Sequence, residues 1–322
     1  MPTVLFTSAG RRNQLLACFR AGAESLHLPL RVLAADMSPN MSPACHQADQ
    51  AFRVHACNTA EYIQDLLAIC RDHEVDLLVP TIDPELSVLS RHRSEFALVG
   101  TRVVVSSEFV TGLAQNKFQT ACTLQSAGVS TPRTLLLSEY LDDPSRLPGP
   151  VIAKPNSGSG SRGIIRPRSP LELVSLQSPE YIVQEFWSGL EYTVNVFFDL
   201  NGQLRCAIPH RRVEVRSGEV SKGRTERVES LIEAARQMAP VLTGAQGPLC
   251  FQAIIRPDGS YCIFEINARF GGGYPLAHEA GARFAQWLLE ELDGRNVSAS
   301  DDWEAGLTML RFDSAVFCKE KD

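Results

Sequence analysis

CFQAIIRPDGSYCIFEINARFGGG, residues 250–273, is the stretch whose reading decides the fold. Pro257-Asp258-Gly259-Ser260 is a turn sequence, because proline presets one backbone angle and glycine admits a positive one, so the stretch reads as a β-hairpin. Side chains alternate along a strand, which puts Glu265, Asn267 and Arg269 on one face and Phe264, Ile266 and Ala268 on the other. With Arg256 opposite Tyr261, Gln252 falls opposite Glu265, while Ile255 meets Cys262, Ala253 meets Phe264 and Phe251 meets Ile266. One register thus predicts an apolar face to bury and a polar face of amides, a carboxylate and a guanidinium. Oxygen ligands of this kind suit Mg²⁺, which takes one or two carboxylates and completes its shell with phosphate oxygens and water. Taken alone, the stretch fits an exposed hairpin with a hydrated polar face equally well.

The balance shifts upstream. Val151 to Lys154 reads as a buried strand ending in a lysine, followed by Asn156-Ser157-Gly158-Ser159-Gly160-Ser161-Arg162-Gly163. The last six residues match G-x-G-x-x-G, but a dinucleotide turn opens a helix, whereas Ile164-Ile165-Arg166 looks like a returning strand and Pro167 follows it. A P-loop would end in Gly-Lys-Ser/Thr, which is missing. The remaining reading is a glycine-rich turn between two strands that folds its backbone N–H groups over phosphates, with Lys154 and Arg162 adding charge. A Gly/Ser linker would not be bracketed by two buried strands. Lys117 falls in the first turn of a helix predicted over Asn116 to Ala127, where the helix dipole prefers an anion. It is either a surface lysine or one that waits for phosphate.

The first third of the chain alternates strands (Thr3 to Thr7, Arg31 to Ala35, Asp76 to Val79, Arg102 to Val105) with helices (Asn13 to Leu26, Glu61 to Arg71). That order predicts a doubly wound parallel sheet. Its first turn, Ser8 to Arg12, has one glycine and lacks the dinucleotide fingerprint. Asp36 and Thr81 to Glu85 lie at the strand ends where such sheets bind ligands. They fit substrate contacts or helix caps, Asp83 favouring a cap because Pro84 follows it. Further on, Tyr181 to Trp187, Glu191 to Phe198 and Leu204 to Ile208 read as strands, Ser217 to Thr225 as a mobile polar loop, Thr225 to Leu242 and Pro275 to Glu291 as helices, and Gly306 to Phe312 as a last strand.

At 322 residues, the chain predicts two or three domains. Hydrophobic residues make up 44% and charged residues 21%, the composition of a globular protein with sizeable cores. A net charge of -6 argues against a nucleic-acid partner. No apolar run of about 18 residues predicts a membrane span. The start enters a strand without a charged leader, so a cytoplasmic location is expected. The nine cysteines are never spaced C-x-x-C, which predicts neither a disulfide framework nor a zinc site.

In this order, Val151 to Pro155, the loop Gly158 to Gly163, Val183 to Phe186 with Glu191 to Val194, Gln252, and Glu265 to Arg269 resemble the ATP-grasp superfamily over nearly the whole chain. The set is most similar to proteins like the carbamoyl-phosphate synthase large subunit. The resemblance implies an α/β and α+β fold: a Rossmann-like N-terminal domain over 1–110, a small ATP-grasp lobe with the glycine-rich loop over 111–185, and a C-terminal lobe with the metal site over 186–322. It implies that Lys117 and Lys154 contact ATP phosphates and that Ser157, Gly158, Ser159, Gly160, Ser161, Arg162 and Gly163 cover them. Gln184, Glu185, Phe186 and Trp187 would line the adenine hinge, with Glu191 on ribose. Gln252, Glu265 and Asn267 match the metal positions for Mg²⁺, with Mn²⁺ as the alternative, and Arg269 joins Lys154 as the catalytic cation.

A chain of 322 residues is much shorter than a carbamoyl-phosphate synthase with its two such units. The expected activity is a stand-alone ATP-dependent ligase joining a small-molecule acid to an amine through an acyl phosphate. A phosphotransferase and a noncatalytic nucleotide-binding subunit are the rivals, and a homodimer is the assembly to consider.

Overall fold

The computed structural model describes residues 1–158, 162–176 and 180–319. Its first layer is a five-stranded parallel sheet of β1 (Thr3–Thr7), β2 (Arg31–Asp36), β3 (Gln50–Arg53), β4 (Leu77–Pro80) and β5 (Arg102–Val103), in the order β3-β2-β1-β4-β5. Every residue of β1 and β4 is buried, as expected of parallel strands covered on both faces. Helices α1 (Asn13–Ser25), α2 (Pro43–Gln47), α3 (Glu61–Asp72), α4 (Asp83–Arg91) and α5 (Arg93–Leu98) supply the cover. Strand order reverses between β1 and β4, and their carboxyl ends open a crevice there. Arg12 and Asp83 stand at its two lips.

Two short helices, α6 (Glu108–Gln115) and α7 (Lys117–Ser126), lead to a second sheet of β6 (Thr134–Leu136), β7 (Val151–Pro155) and β8 (Tyr181–Glu185). It is antiparallel, in the order β6-β8-β7, and is covered by α8 (Leu137–Asp142). The predicted returning segment is present as a bridge: Ala153 and Ile165 exchange two backbone hydrogen bonds of 2.9 and 2.8 Å.

The third sheet is antiparallel and six-stranded: β9 (Leu190–Phe198), β10 (Leu204–Arg216), β11 (Glu219–Thr225), β12 (Gly247–Ile255), β13 (Tyr261–Asn267) and β14 (Thr308–Leu310), in the order β13-β12-β9-β10-β11-β14. Helices α9 (Glu229–Met238), α10 (Tyr274–Glu279) and α11 (Phe284–Leu292) pack on it. One large core runs from Leu5 and Phe19 of the first layer to Phe251 and Phe284 of the third. Helices α1 and α11 meet closely at Gly22, where a Cβ would lie 3.0 Å from the Gln286 Cα. The second sheet has a separate small core around Leu135, Tyr140, Val151, Ala153 and Val183.

Four expectations change. The hairpin keeps Gln252 opposite Glu265 and Phe251 opposite Ile266, but a β-bulge then pairs Ala253 with Ile263, Ile254 with Cys262 and Ile255 with Tyr261. Phe264 is the extra residue, so strict alternation fails at it. Glu219 to Thr225 is a strand rather than part of a mobile loop: Ser217 (φ 52°) and Gly218 (φ 80°) make a two-residue turn of the kind that matches strand twist, and Arg216 pairs with Glu219. The helix expected over Pro275 to Glu291 is two helices, parted at Gly281 with φ 104°. Asp83 is no cap, because the cap acceptor is Glu85, which takes the backbone N–H groups of Thr81 (2.7 Å) and Ile82 (3.0 Å).

Candidate active site

The second and third sheets face each other across a cleft of about 650 Å³. The bulge in β13 shapes its floor. Glu265 and Gln252 point into the cleft side by side, and Phe264, turned out of the core by the extra residue, joins them. Lys154 comes from β7 opposite. Its side chain is buried, its Nζ donates to the Phe264 carbonyl at 3.3 Å, and it stands 5.4 Å from the Phe264 ring centre. Burial lowers its pKa from 10.5 to about 8, while the Glu265 carboxylate opposes the shift.

Lys117, the first residue of α7, reaches the same wall and donates to the Gly158 carbonyl at 2.6 Å. Its pKa is lowered by burial too, with Glu265 and Asp83 pulling the other way. Asn116 frees this helix end for a lysine by accepting from the Gln119 N–H at 2.9 Å. Ser157, Gly158 and Arg162 line the cleft, and Gly163 turns the chain back with φ 72°. Ser159, Gly160 and Ser161 lie outside the described residues.

The far end of the cleft is tightly braced. Gln184 is buried, its amide donating to Thr134 Oγ1 at 2.8 Å. Glu185 lies 3.5 Å from both Arg133 and Arg256. The Arg256 guanidinium covers the Trp187 ring at 3.5 Å, and Arg166 covers Phe186 at 4.5 Å. Trp187 Nε1 is buried without a hydrogen-bond partner among the described residues. Glu191 forms a 2.9 Å ion pair with Arg212 whose Nε–H is not aligned for a hydrogen bond.

Asn267 and Arg269 stand behind Glu265, toward the first layer, rather than in the cleft wall. The Asn267 amide donates to Glu265 at 3.4 Å and accepts from Arg269 at 3.2 Å. Arg269 also donates to the Phe270 carbonyl at 2.9 Å and pairs with Asp83 at 2.6 Å. Burial opposes the charge on this guanidinium, and Asp83, Cys250 and Glu265 together more than offset that, so its pKa is raised.

Beyond Arg269 a second cavity of about 460 Å³ opens onto the crevice of the parallel sheet. The hairpin turn separates the two spaces: Gly218 lines the cleft, while Ser217 and Glu219 line the second cavity. Here Glu219 pairs with Arg12 at 3.0 Å and Arg311 at 3.3 Å. Arg311 also holds the Gly272 carbonyl. Gly273 approaches this wall too closely for a side chain, since a Cβ there would lie 2.5 Å from the buried His210 Nε2, and a Cβ on Gly272 would lie 2.8 Å from the Glu219 carboxyl carbon. His210 is buried and neutral, its pKa pushed down to about 3 by burial and by Arg212 and Arg311. Buried Glu85 pins the crevice, accepting from Ser8 at 2.9 Å and from Tyr62, and burial raises its pKa.

Sequence reasoning missed Arg12, Glu219, Arg311 and Phe264. Arg12 carried a signal, since it follows the first strand at the sheet's ligand edge. Glu219 and Arg311 carried none, because their pairing needs a turn and a final strand that only tertiary structure brings together.

No group of three or more His, Cys, Asp or Glu side chains able to hold a metal occurs among the described residues. Glu265 is the one carboxylate of a Gln-Glu-Asn donor set, which fits a hard cation only when phosphate oxygens complete the shell.

A mixed α/β chain with two lobes closing on a cleft that carries lysines on one wall and a carboxylate on the other defines a nucleotide-gripping class of protein. A family model described as ATP-grasp domain matches residues 114–273, and one described as PylC-like, N-terminal domain matches residues 4–104. Residues 114–273 are thus an ATP-grasp domain. A 5-formaminoimidazole-4-carboxamide-1-(beta)-D-ribofuranosyl 5'-monophosphate synthetase of Thermococcus kodakarensis is 24% identical over 204 residues, covering 51% of this chain and 62% of its own length. The chain thus spans about three fifths of that relative. A D-alanine--D-alanine ligase of Nitrosospira multiformis is 26% identical over 225 residues, 61% of this chain and 71% of that one. Among solved structures, the biotin carboxylase domain of a Hydrogenobacter thermophilus 2-oxoglutarate carboxylase, in complex with MgADP, ADP and bicarbonate, superposes with a TM-score of 0.75 at 14% identity. That match covers 95% of this chain and 73% of the other and shows a shared fold. No helix among the described residues is long and apolar enough to cross a membrane.

Proposed function

We propose that the protein is an ATP-dependent ligase that joins a carboxylic acid to an amine through an acyl phosphate, releasing ADP and phosphate. The observation that carries this reading is the convergence of Lys117, Lys154, Gln252 and Glu265, from three separate parts of the chain, on one nucleotide-sized cleft with a second cavity behind Arg269. The names of the relatives, a synthetase and a ligase, support it. In this reading residues 1–110, 111–185 and 186–322 act as an acid-side domain, a phosphate-covering lobe and a metal-bearing lobe.

Adenine would lie among Ile152, Phe264 and Ile254, which line the cleft beside Trp187. The triphosphate would run toward Lys154 and Lys117, which already donate to carbonyls and would turn those hydrogens to phosphate oxygens. Glu265, with Gln252 and Asn267, would hold Mg²⁺, or Mn²⁺ as the alternative, which supplies neutralisation of phosphate charge. An acid held at the boundary of the two cavities attacks the terminal phosphorus through its carboxylate oxygen, ADP leaves, and the amine then displaces phosphate from the acyl carbon. Arg269, held by Asp83 and Asn267 behind Glu265, would supply positive charge toward the transferring group. Catalysis is mainly positioning and charge neutralisation. The cysteines, all free in the structure, fit a cytoplasmic protein.

The test is to incubate the protein with ATP, Mg²⁺, hydroxylamine and single small carboxylates. A hydroxamate formed together with ADP and phosphate is expected, because hydroxylamine intercepts an acyl phosphate. A stable phosphorylated product without hydroxamate would replace the ligase with a phosphotransferase.

A further inference from the structure

The second cavity holds an ionic arrangement that the nucleotide site does not use. Arg12, at the mouth of the β1–α1 turn, and Arg311, just past β14, approach Glu219 from two sides at 3.0 and 3.3 Å. The three residues come from the first layer, the end of the chain and the tip of the β10–β11 hairpin, so no local sequence rule makes them neighbours. Two guanidiniums share one carboxylate, which leaves one positive charge uncompensated. The adjacent Arg269–Asp83 pair is neutral and adds nothing. Arg311 Nε is also buried without a hydrogen-bond partner among the described residues, an N–H that a second acceptor would satisfy.

Glu219 itself is the least committed member. Its side chain is 39% exposed, against 20% for Arg12 and 23% for Arg311, and it sits directly after the Ser217-Gly218 turn. A carboxylate at that tip can reach water by a rotamer change, whereas the arginines are anchored, Arg311 on the Gly272 carbonyl and Arg12 toward the Thr81 carbonyl at 3.5 Å. The cavity of about 460 Å³ suits a small organic molecule.

We propose that this cavity is the acid-substrate subsite and that Glu219 occupies it in the free protein, standing on Arg12 and Arg311 where the carboxylate of a small organic acid docks once Glu219 has swung out. The assignment to the acid half of the reaction rests on the ligase reading; the anion site does not. Exchange of one carboxylate for another leaves the guanidiniums paired before and after, so the bound state carries no unpaired buried charge. A neutral analogue cannot make the exchange. The same contact links substrate to the wall of the nucleotide cleft, because Gly218 lines that cleft on the other side of the turn.

The consequence has an unusual sign: removing a charged residue of the site tightens binding. Acetate serves as the minimal probe, with acetamide as the neutral control, at constant ionic strength and without nucleotide, and the thermal midpoint of the full chain is the readout. Glu219→Gln is expected to lower the acetate concentration giving half the maximal shift by tenfold or more, and acetamide to shift nothing. Adding Arg311→Met or Arg12→Met to Glu219→Gln is expected to abolish the acetate response, with Arg311→Lys retaining part of it. MgATP affinity, measured on every variant, reports both folding and the nucleotide site. An unchanged or weaker acetate response in Glu219→Gln, or a response that survives in Glu219→Gln/Arg311→Met, overturns the proposal. Failure of the unmodified protein to bind MgATP instead overturns the ligase reading and leaves the anion site to be judged by acetate alone.

Discussion

Replacing Lys154 by methionine should make the free protein more stable and the nucleotide complex weaker, and both magnitudes follow from the site. Lys154 is 6% exposed, and its ammonium gains a 3.3 Å hydrogen bond, the Phe264 ring and the field of Glu265. Its pKa falls from 10.5 to about 8. At about 1.36 kcal/mol per pH unit, that gap means burying the charged form costs the folded state about 3 kcal/mol. Below pH 8 both folded and unfolded chains are protonated here and the full penalty applies. Between pH 8 and 10.5 the unfolded chain holds the extra proton, so stability rises with pH, and above 10.5 the penalty is gone. Methionine keeps the stem's packing without the charge, so Lys154→Met should raise ΔG of urea unfolding at pH 7 by roughly 1–3 kcal/mol, the difference vanishing near pH 10.5. The same change removes a charge-assisted hydrogen bond to phosphate, roughly 1.5–3 kcal/mol, or about tenfold to a hundredfold in MgATP affinity. Urea titrations across pH and nucleotide calorimetry read the two effects. A less stable variant, or MgATP affinity within twofold of the unmodified protein, would refute the reasoning.

Glu265→Gln should lower turnover roughly a hundredfold at Mg²⁺ concentrations that saturate the unmodified protein, because the one carboxylate of the proposed donor set is lost, with phosphate release as the measurement. Asp83→Ala leaves the Arg269 guanidinium with an amide and a carbonyl as its acceptors and should cost about 2–3 kcal/mol by urea unfolding, with Asp83→Asn costing less. Gly273→Ala forces a methyl group against His210 Nε2, and a loss of about 1–3 kcal/mol in the same assay is expected although the backbone there, φ -85°, accepts alanine.

The residues that were legible before the structure are those whose partners are set locally. Gln252 met Glu265 as read, although the pairs between them and the turn are shifted by one and the bulge at Phe264 restores the register; β1 was legible to the residue because its apolar centre, Val4-Leu5-Phe6, has one use in a parallel sheet. The reading failed where a single residue breaks a period. Phe264 was assigned to the core by alternation, yet one bulge turns it into the cleft, and nothing in its neighbours announces the bulge. Ser217 to Thr225 was read as loop because it is polar and contains glycine, but only Ser217 and Gly218 turn and the rest pairs as β11. Asp83 looked like a cap on local grounds; its partner, Arg269, lies 186 positions away, and Glu85 two residues on did the capping. Ion pairs between distant segments, such as Arg12 with Glu219, have no periodic signature at all.

The separate small core of the second sheet has a consequence for cooperativity. Among the described residues, the ties of that sheet to the rest are mostly polar and include the Ile263 N–H to the Ser130 carbonyl, the Ser130 hydroxyl to the Tyr261 carbonyl, Lys154 to Phe264, Arg256 to Glu185, and the Lys117 and Phe118 N–H groups to Asn156. With so little apolar surface shared, heat should loosen it before the large core, so the free chain departs from two-state melting and gives a broad or doubled calorimetric transition. A nucleotide that touches both cores would supply the missing coupling. Ligand binding would then do more than add stability: it would merge two melting units into one, and the sharpening of the transition, rather than its midpoint, would measure how firmly the lobes have closed.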